Sequence, residues 1–88
     1  MLKMYTTRVC PDCRRAKRLL DEHGVAFEEV NIEAVEGAAE WVAAHNQGKY
    51  KVPTFDHNGH VFACSPYNAA RLRRELGLPA PEAAGTTA

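Results

Sequence analysis

MYTTRVCPDCRRAKRLL, residues 4–20, passes from an apolar, aromatic run through two closely spaced cysteines into a basic segment with helical periodicity. Leu2 to Thr6 is short and apolar and suits a buried strand that ends just before the cysteines. Pro11 fits the first turn of a helix, where its missing N–H costs nothing. Cys13, Ala16, Leu19 or Leu20, and His23 then recur at helical spacing until Gly24 stops the helix. Cys10 is thus expected at a helix N-terminus, with Cys13 one turn further on the same side.

Working outward, Ala26 to Ile32 reads as a second strand, and the order strand, helix, strand implies a parallel pair with a right-handed crossover. Val35, Ala38, Trp41, Val42 and His45 mark a second amphipathic helix, closed by the Asn46-Gln47-Gly48 turn signal. The stretch VPTFDHNGHVFAC, residues 52–64, places Asn58-Gly59 between two strand-like runs and so predicts a hairpin. Its register pairs His57 with His60, Phe55 with Phe62 and Pro53 with Cys64. Ser65 and Pro66 are read as cap and first-turn proline of a third helix, with Ala69, Leu72 and Leu76 as its apolar stripe and Gly77 as its stop. Trp41 and Tyr67 are read as helix packing residues. The expected order is βαβαββα, an α/β fold over residues 1–77, with a mobile tail over residues 78–88.

A chain of 88 residues, 45% of them hydrophobic, supports one domain and one small core. Its opening, MLKMYTTR, has no apolar run of signal-peptide length, and nothing downstream approaches a membrane span, so a cytosolic protein is expected, and it is expected to act as a monomer. There a close cysteine pair points to catalysis or metal binding rather than a permanent cross-link. Formal net charge is zero, which argues against a general nucleic-acid or membrane-surface binder. The charges are nonetheless segregated. Five basic residues and the single acid Asp12 fall between Arg8 and Arg18, whereas Leu19 to Gly48 holds seven acids and no Lys or Arg. The result is positive potential around the cysteines, although Arg14, Arg15, Lys17 and Arg18 also suit a solvated helix face.

A cysteine pair between a first strand and a first helix is the arrangement thiol-disulfide exchange requires. Unpaired N–H groups and the helix dipole favour an anion at Cys10, stabilising its thiolate for attack on disulfides. Cys13 is close enough to close a disulfide and expel the partner sulfur. Arg8 reinforces this field and Asp12, expected between the two sulfurs, opposes it, so Asp12 is a candidate for tuning the Cys10 pKa.

The competing class is a zinc or iron-sulfur module built from Cys10, Cys13, His57, His60 and Cys64. Geometry counts against it, because His60 and Cys64 stand about 13 Å apart at strand rise. No metal site is assigned. Cys64 reads as a small buried hydrophobe, with an oxidation sensor or alternative disulfide partner as the other reading.

In their order and spacing, MYTT, CPDC followed by RRAKRLL, GVAFEEVNIE, KVPTF and CSPYNAARL resemble the glutaredoxin branch of the thioredoxin fold across nearly the whole domain. The stretches AAEWVAAHNQGKYKVPT and SPYNAARLRREL are most similar to mycoredoxins and actinobacterial-type glutaredoxins. The resemblance implies a thioredoxin-like fold, a four-stranded mixed sheet flanked by three helices. It also implies an enzyme that reduces protein disulfides or mixed disulfides with a low-molecular-weight thiol, with no bound cofactor. Cys10 becomes the nucleophile and Cys13 the resolving thiol. Val52 and a cis Pro53 lie against the site to pair with an extended substrate, and Cys64 and Ser65 fall where family members hold the γ-glutamyl end of glutathione. Arg8, Lys51 and Lys49 are candidates to meet a small thiol's carboxylates. Two departures stand out. Asp12 replaces the usual aromatic residue between the cysteines, and FACSPY stands where many glutathione users carry paired glycines and an aspartate. The co-substrate is therefore left open among glutathione, mycothiol or a similar thiol, with a redoxin dedicated to one protein, such as ribonucleotide reductase, as the alternative.

Overall fold

The structure is a computed structural model, and it describes residues 1–79. Its elements are β1 (Leu2–Thr6), α1 (Pro11–Glu22), β2 (Phe27–Asn31), α2 (Ala38–Ala44), β3 (Thr54–His57), β4 (His60–Ala63) and α3 (Ala69–Leu76). The four strands form one mixed sheet in the order β2-β1-β3-β4. β1 runs parallel to β2 and antiparallel to β3, and β3 pairs antiparallel with β4. This is the expected thioredoxin-like βαβαββα arrangement, with β2 slightly shorter than the apolar pattern suggests.

Side-chain alternation along β1 divides the interior in two. Leu2 and Met4 join Ala16, Leu19 and Leu20 of α1, Phe55, Phe62 and Leu72 of α3 in the main core. Tyr5, from the opposite face, joins Ile32, Ala38 and Val42 in a smaller cluster beneath α2. Trp41 of α2 stacks on Tyr5 with ring centroids 4.5 Å apart. Helices α1 and α3 therefore cover one face of the sheet and α2 the other.

The hairpin has the expected register: His57 faces His60, Phe55 faces Phe62, and the Cys64 N–H donates to Pro53 O at 2.9 Å. Asn58 and Gly59 both have positive φ, 54° and 95°, the conformation a two-residue turn of this kind demands.

Three local expectations are corrected. α2 begins at Ala38, leaving Val35 exposed, because Asn31 organises the preceding segment. Its carbonyl accepts the N–H groups of Ala34 and Val35, its side chain accepts that of Glu33, and left-handed Gly37 then redirects the chain. α3 is capped by Asn68, whose side chain accepts the Arg71 N–H at 3.0 Å, and not by Ser65. Tyr67 consequently precedes α3 instead of lying on it: its N–H goes to Asp12, and that of Asn68 to the Cys64 sulfur. At the end of α3, Gly77 adopts φ 69°, and the Leu78 N–H returns to Arg73 O at 2.8 Å. Leu78 packs on the main core. The rest of the tail assigned to residues 78–88, from position 80 onward, lies outside the described residues.

Candidate active site

Cys10 is the N-cap of α1, with extended backbone at φ −147° and ψ 99°. Its sulfur accepts the Cys13 N–H at 3.0 Å, and its carbonyl accepts the Arg14 N–H at 3.1 Å. A sulfur here takes the place usually held by a Ser or Asp oxygen, that of an acceptor for an otherwise unpaired first-turn N–H. Pro11 starts the helix without needing a donor of its own. Cys10 and Cys13 are joined by a disulfide across Cα atoms 5.2 Å apart, and both are largely covered, at 7% and 2% exposure.

The second wall is the segment entering β3. The Val52 carbonyl oxygen lies 3.9 Å from Cys10 Sγ, and the Val52-Pro53 peptide is cis, as the family resemblance implies. Behind this turn sits a buried polar chain. Asn46 donates through Nδ2 to Val42 O at 2.8 Å and to the Thr54 hydroxyl at 3.2 Å, and that hydroxyl donates to Lys51 O at 2.6 Å. Thus the end of α2 holds the peptide segment that faces the sulfur.

The third side is formed by Cys64, bonded through its backbone to Pro53. Its thiol is fully buried and free, with Sγ 3.5 Å from the Asn68 N and 3.6 Å from the Asn68 O. Ser65 follows, half-buried, and the Ser65-Pro66 peptide is also cis. Cys10, Cys13, Val52, Pro53 and Cys64 are therefore brought together.

The charged candidates are arranged differently. Arg8 is exposed, as is Lys49, and Lys51 is half-buried at the turn. Asp12 does not sit between the sulfurs: its carboxylate accepts from Arg15 Nη1 at 2.8 Å and from the Tyr67 N–H at 3.3 Å. It links the first turn of α1 to the approach of α3. Among the described residues, no three or more His, Cys, Asp or Glu side chains gather as a metal-binding set. His60 instead meets Glu75, with Nε2 2.8 Å from Oε1.

Asn46, Thr54 and Asn68 support the site without having been singled out in the sequence. Asn46 reads there only as part of a turn signal, and nothing local shows that its amide turns inward. For Asn68 a signal existed, since an asparagine just before Ala69-Ala70-Arg71-Leu72 is a strong cap candidate.

A redox-active Cys-x-x-Cys at the N-terminus of the first helix, on a thioredoxin-like sheet, defines the class of dithiol exchange proteins. The glutaredoxin family model matches residues 2–62, and the chain belongs to that family, whose members are thiol-disulfide oxidoreductases. It is 43% identical over 53 residues to a Mycobacterium tuberculosis protein provisionally named a glutaredoxin, covering 60% of this chain and 63% of that one. The chain thus spans a little under two thirds of the length of that relative. To Mycoredoxin 1 of Corynebacterium glutamicum it is 33% identical over 66 residues, 75% of this chain and 81% of the relative. Among solved structures, the glutaredoxin of Archaeoglobus fulgidus superposes with a TM-score of 0.68 at 28% identity, covering 85% of this chain and 84% of that one. NrdH-redoxin of Escherichia coli, described as a glutaredoxin-like protein with a thioredoxin-like activity profile, does so at 0.62 and 30%, covering 91% and 97%.

Proposed function

We propose that this protein reduces protein disulfides and mixed disulfides between proteins and low-molecular-weight thiols, acting as a monomer in the cytoplasm. The observation that carries the reading is the Cys10 sulfur held at the N-cap of α1, in reach of both the Cys13 N–H and the Val52 carbonyl.

In the reduced protein, the Cys13 N–H and the helix dipole favour the Cys10 thiolate. That thiolate attacks one sulfur of the substrate disulfide. The Cys10–substrate bond forms, the substrate S–S bond breaks, and the departing sulfur leaves as thiolate and takes a proton. Cys13, deprotonated, then attacks Cys10 Sγ, releases the second substrate thiol and leaves the Cys10–Cys13 disulfide seen in the structure. Two further thiols restore the dithiol, giving up two electrons and becoming a disulfide themselves. During attack, the Val52 backbone offers an extended substrate a short strand-like pairing beside the sulfur. Cys64 and Ser65 close the far side, and Arg8 and Lys51 meet carboxylates of a small thiol. Asp12 acts on Cys10 only at a distance, its charge offset by Arg15.

A second reading, a redoxin dedicated to one protein substrate, is favoured by the similarity to NrdH-redoxin. The two separate when reduction of one mixed disulfide is assayed in parallel with glutathione, mycothiol, bacillithiol and a thioredoxin-reductase system. Turnover driven by a small thiol supports the main reading, and turnover with the reductase system alone replaces it with the second.

A further inference from the structure

On the α1/α3 side of the molecule, a groove of about 240 Å³ is lined by Arg15, Arg18, Leu19 and Glu22 of α1 and by Tyr67 and Arg73 from the α3 side. It includes neither active-site cysteine nor the Val52-Pro53 wall. Three guanidinium groups face one carboxylate there. Among the described residues, ion pairs engage Arg15 and Arg71 but neither Arg18 nor Arg73. The Nε atom of Arg73 is buried and has no hydrogen-bond partner among the described residues. A covered, charged donor without an acceptor is costly, and native proteins seldom keep one unless an ion, water or ligand completes it. Tyr67 supplies a further donor. Burial raises its pKa above 10.0 against the opposing pull of Arg73, so its hydroxyl keeps its proton.

We infer that this groove binds a phosphate-class oxyanion at a site separate from the dithiol centre. Arg18 and Arg73 are its principal donors, and Arg15 is shared with Asp12. Guanidinium forks match the oxygens of a phosphate in geometry as well as charge, which a lone surface lysine does not. The open groove admits either inorganic phosphate or the phosphate group of a small organic ester.

The test is an NMR titration of the whole protein, following the arginine Nε–Hε signals. Inorganic phosphate, glycerol 3-phosphate and chloride are added at matched ionic strength. Saturable shifts at Arg73 and Arg18 with the phosphates but not chloride are expected, with Arg8, Arg14 and Arg74 unmoved. Arg73→Gln should weaken binding about tenfold, the scale of one charge-assisted hydrogen bond. Arg18→Gln, at an exposed helix position, should do the same and covers the case in which Arg73→Gln fails to fold. Whichever phosphate binds more tightly identifies the source. Shifts that spread over all arginines and follow ionic strength, or affinity unchanged in a folded variant, would overturn the inference.

Discussion

The backbone N–H of Cys13 points at the sulfur of Cys10 from 3.0 Å, so the residue that closes the disulfide also donates a hydrogen bond to the sulfur it must attack. In the reduced protein that bond is worth most when Cys10 carries a negative charge. The Cys10 thiol should therefore titrate below the ordinary cysteine value of about 8.5. Iodoacetamide alkylation against pH, in a Cys13→Ser background that keeps the N–H, measures it. A midpoint at or above the ordinary value would mean that the cap does not act on the sulfur.

Asp12 is bound to Arg15 and to the Tyr67 N–H, and its removal should be felt first in stability. Asp12→Ala is expected to cost about 1 kcal/mol, since the ion pair is largely exposed and the backbone hydrogen bond is the larger loss. The Cys10 titration should move by less than one unit, downward. Urea unfolding and the alkylation profile on the same protein separate the two effects.

Asn46 is buried, and its amide joins Val42 O to the Thr54 hydroxyl behind the Lys51–Pro53 turn. Asn46→Ala takes the donor from the buried Thr54 hydroxyl and one of two donors from Val42 O, which keeps the His45 N–H, so a loss of about 1–3 kcal/mol is expected. Substrate turnover should fall with it through a raised KM, because the Val52 carbonyl loses its backing while Cys10 keeps its cap. An alkylation profile that shifts as strongly as KM would place Asn46's influence on the helix instead.

These supports mark where the sequence is hardest to read. The strand, cysteine pair and helix of residues 2–22 were legible because Pro11, Gly24 and the apolar spacing all agree, and the hairpin because Asn58-Gly59 sets its register. The cap of α3 was misplaced because Ser65-Pro66 offers a valid local signal. Asn68 offers a competing local signal, its side chain accepting the Arg71 N–H, and it is reinforced by Asp12 on Tyr67 and the Cys64 sulfur on Asn68. Asp12 itself was expected near the sulfurs from its place between two cysteines. Its true partners lie one helical turn later and 55 residues away, and the latter no local pattern encodes.

Glu29 ties β2 to β1 and α1 by accepting from the Thr6 hydroxyl at 2.8 Å and from Lys17 at 3.1 Å. Burial opposes its charge, but these two hydrogen bonds and the nearby ammonium outweigh burial and hold its pKa below 4.5. A carboxyl with a lowered folded-state pKa adds stability above its unfolded pKa, and that stability fades as pH falls through the folded value. Glu29→Gln should thus cost about 0.5–1 kcal/mol at pH 7, discounted for the exposure of the pair, and almost nothing near pH 2. Urea midpoints at both pH values test this, and a difference that persisted at the acid end would assign the effect to packing.

The most direct test of the account is to trap the intermediate it assigns to Cys10. Cys13→Ser and Cys10→Ser proteins are each reduced, mixed with a protein disulfide substrate and with a small-thiol mixed disulfide, quenched with acid and weighed by mass spectrometry. Cys13→Ser should accumulate a covalent adduct through Cys10, lose reduction of the protein disulfide and retain turnover of the mixed disulfide when external thiol is supplied. Cys10→Ser should form no adduct and reduce neither substrate. Adduct and activity in the Cys10→Ser protein, carried by Cys13 or Cys64, would contradict the assignment of the N-cap sulfur as the attacking group.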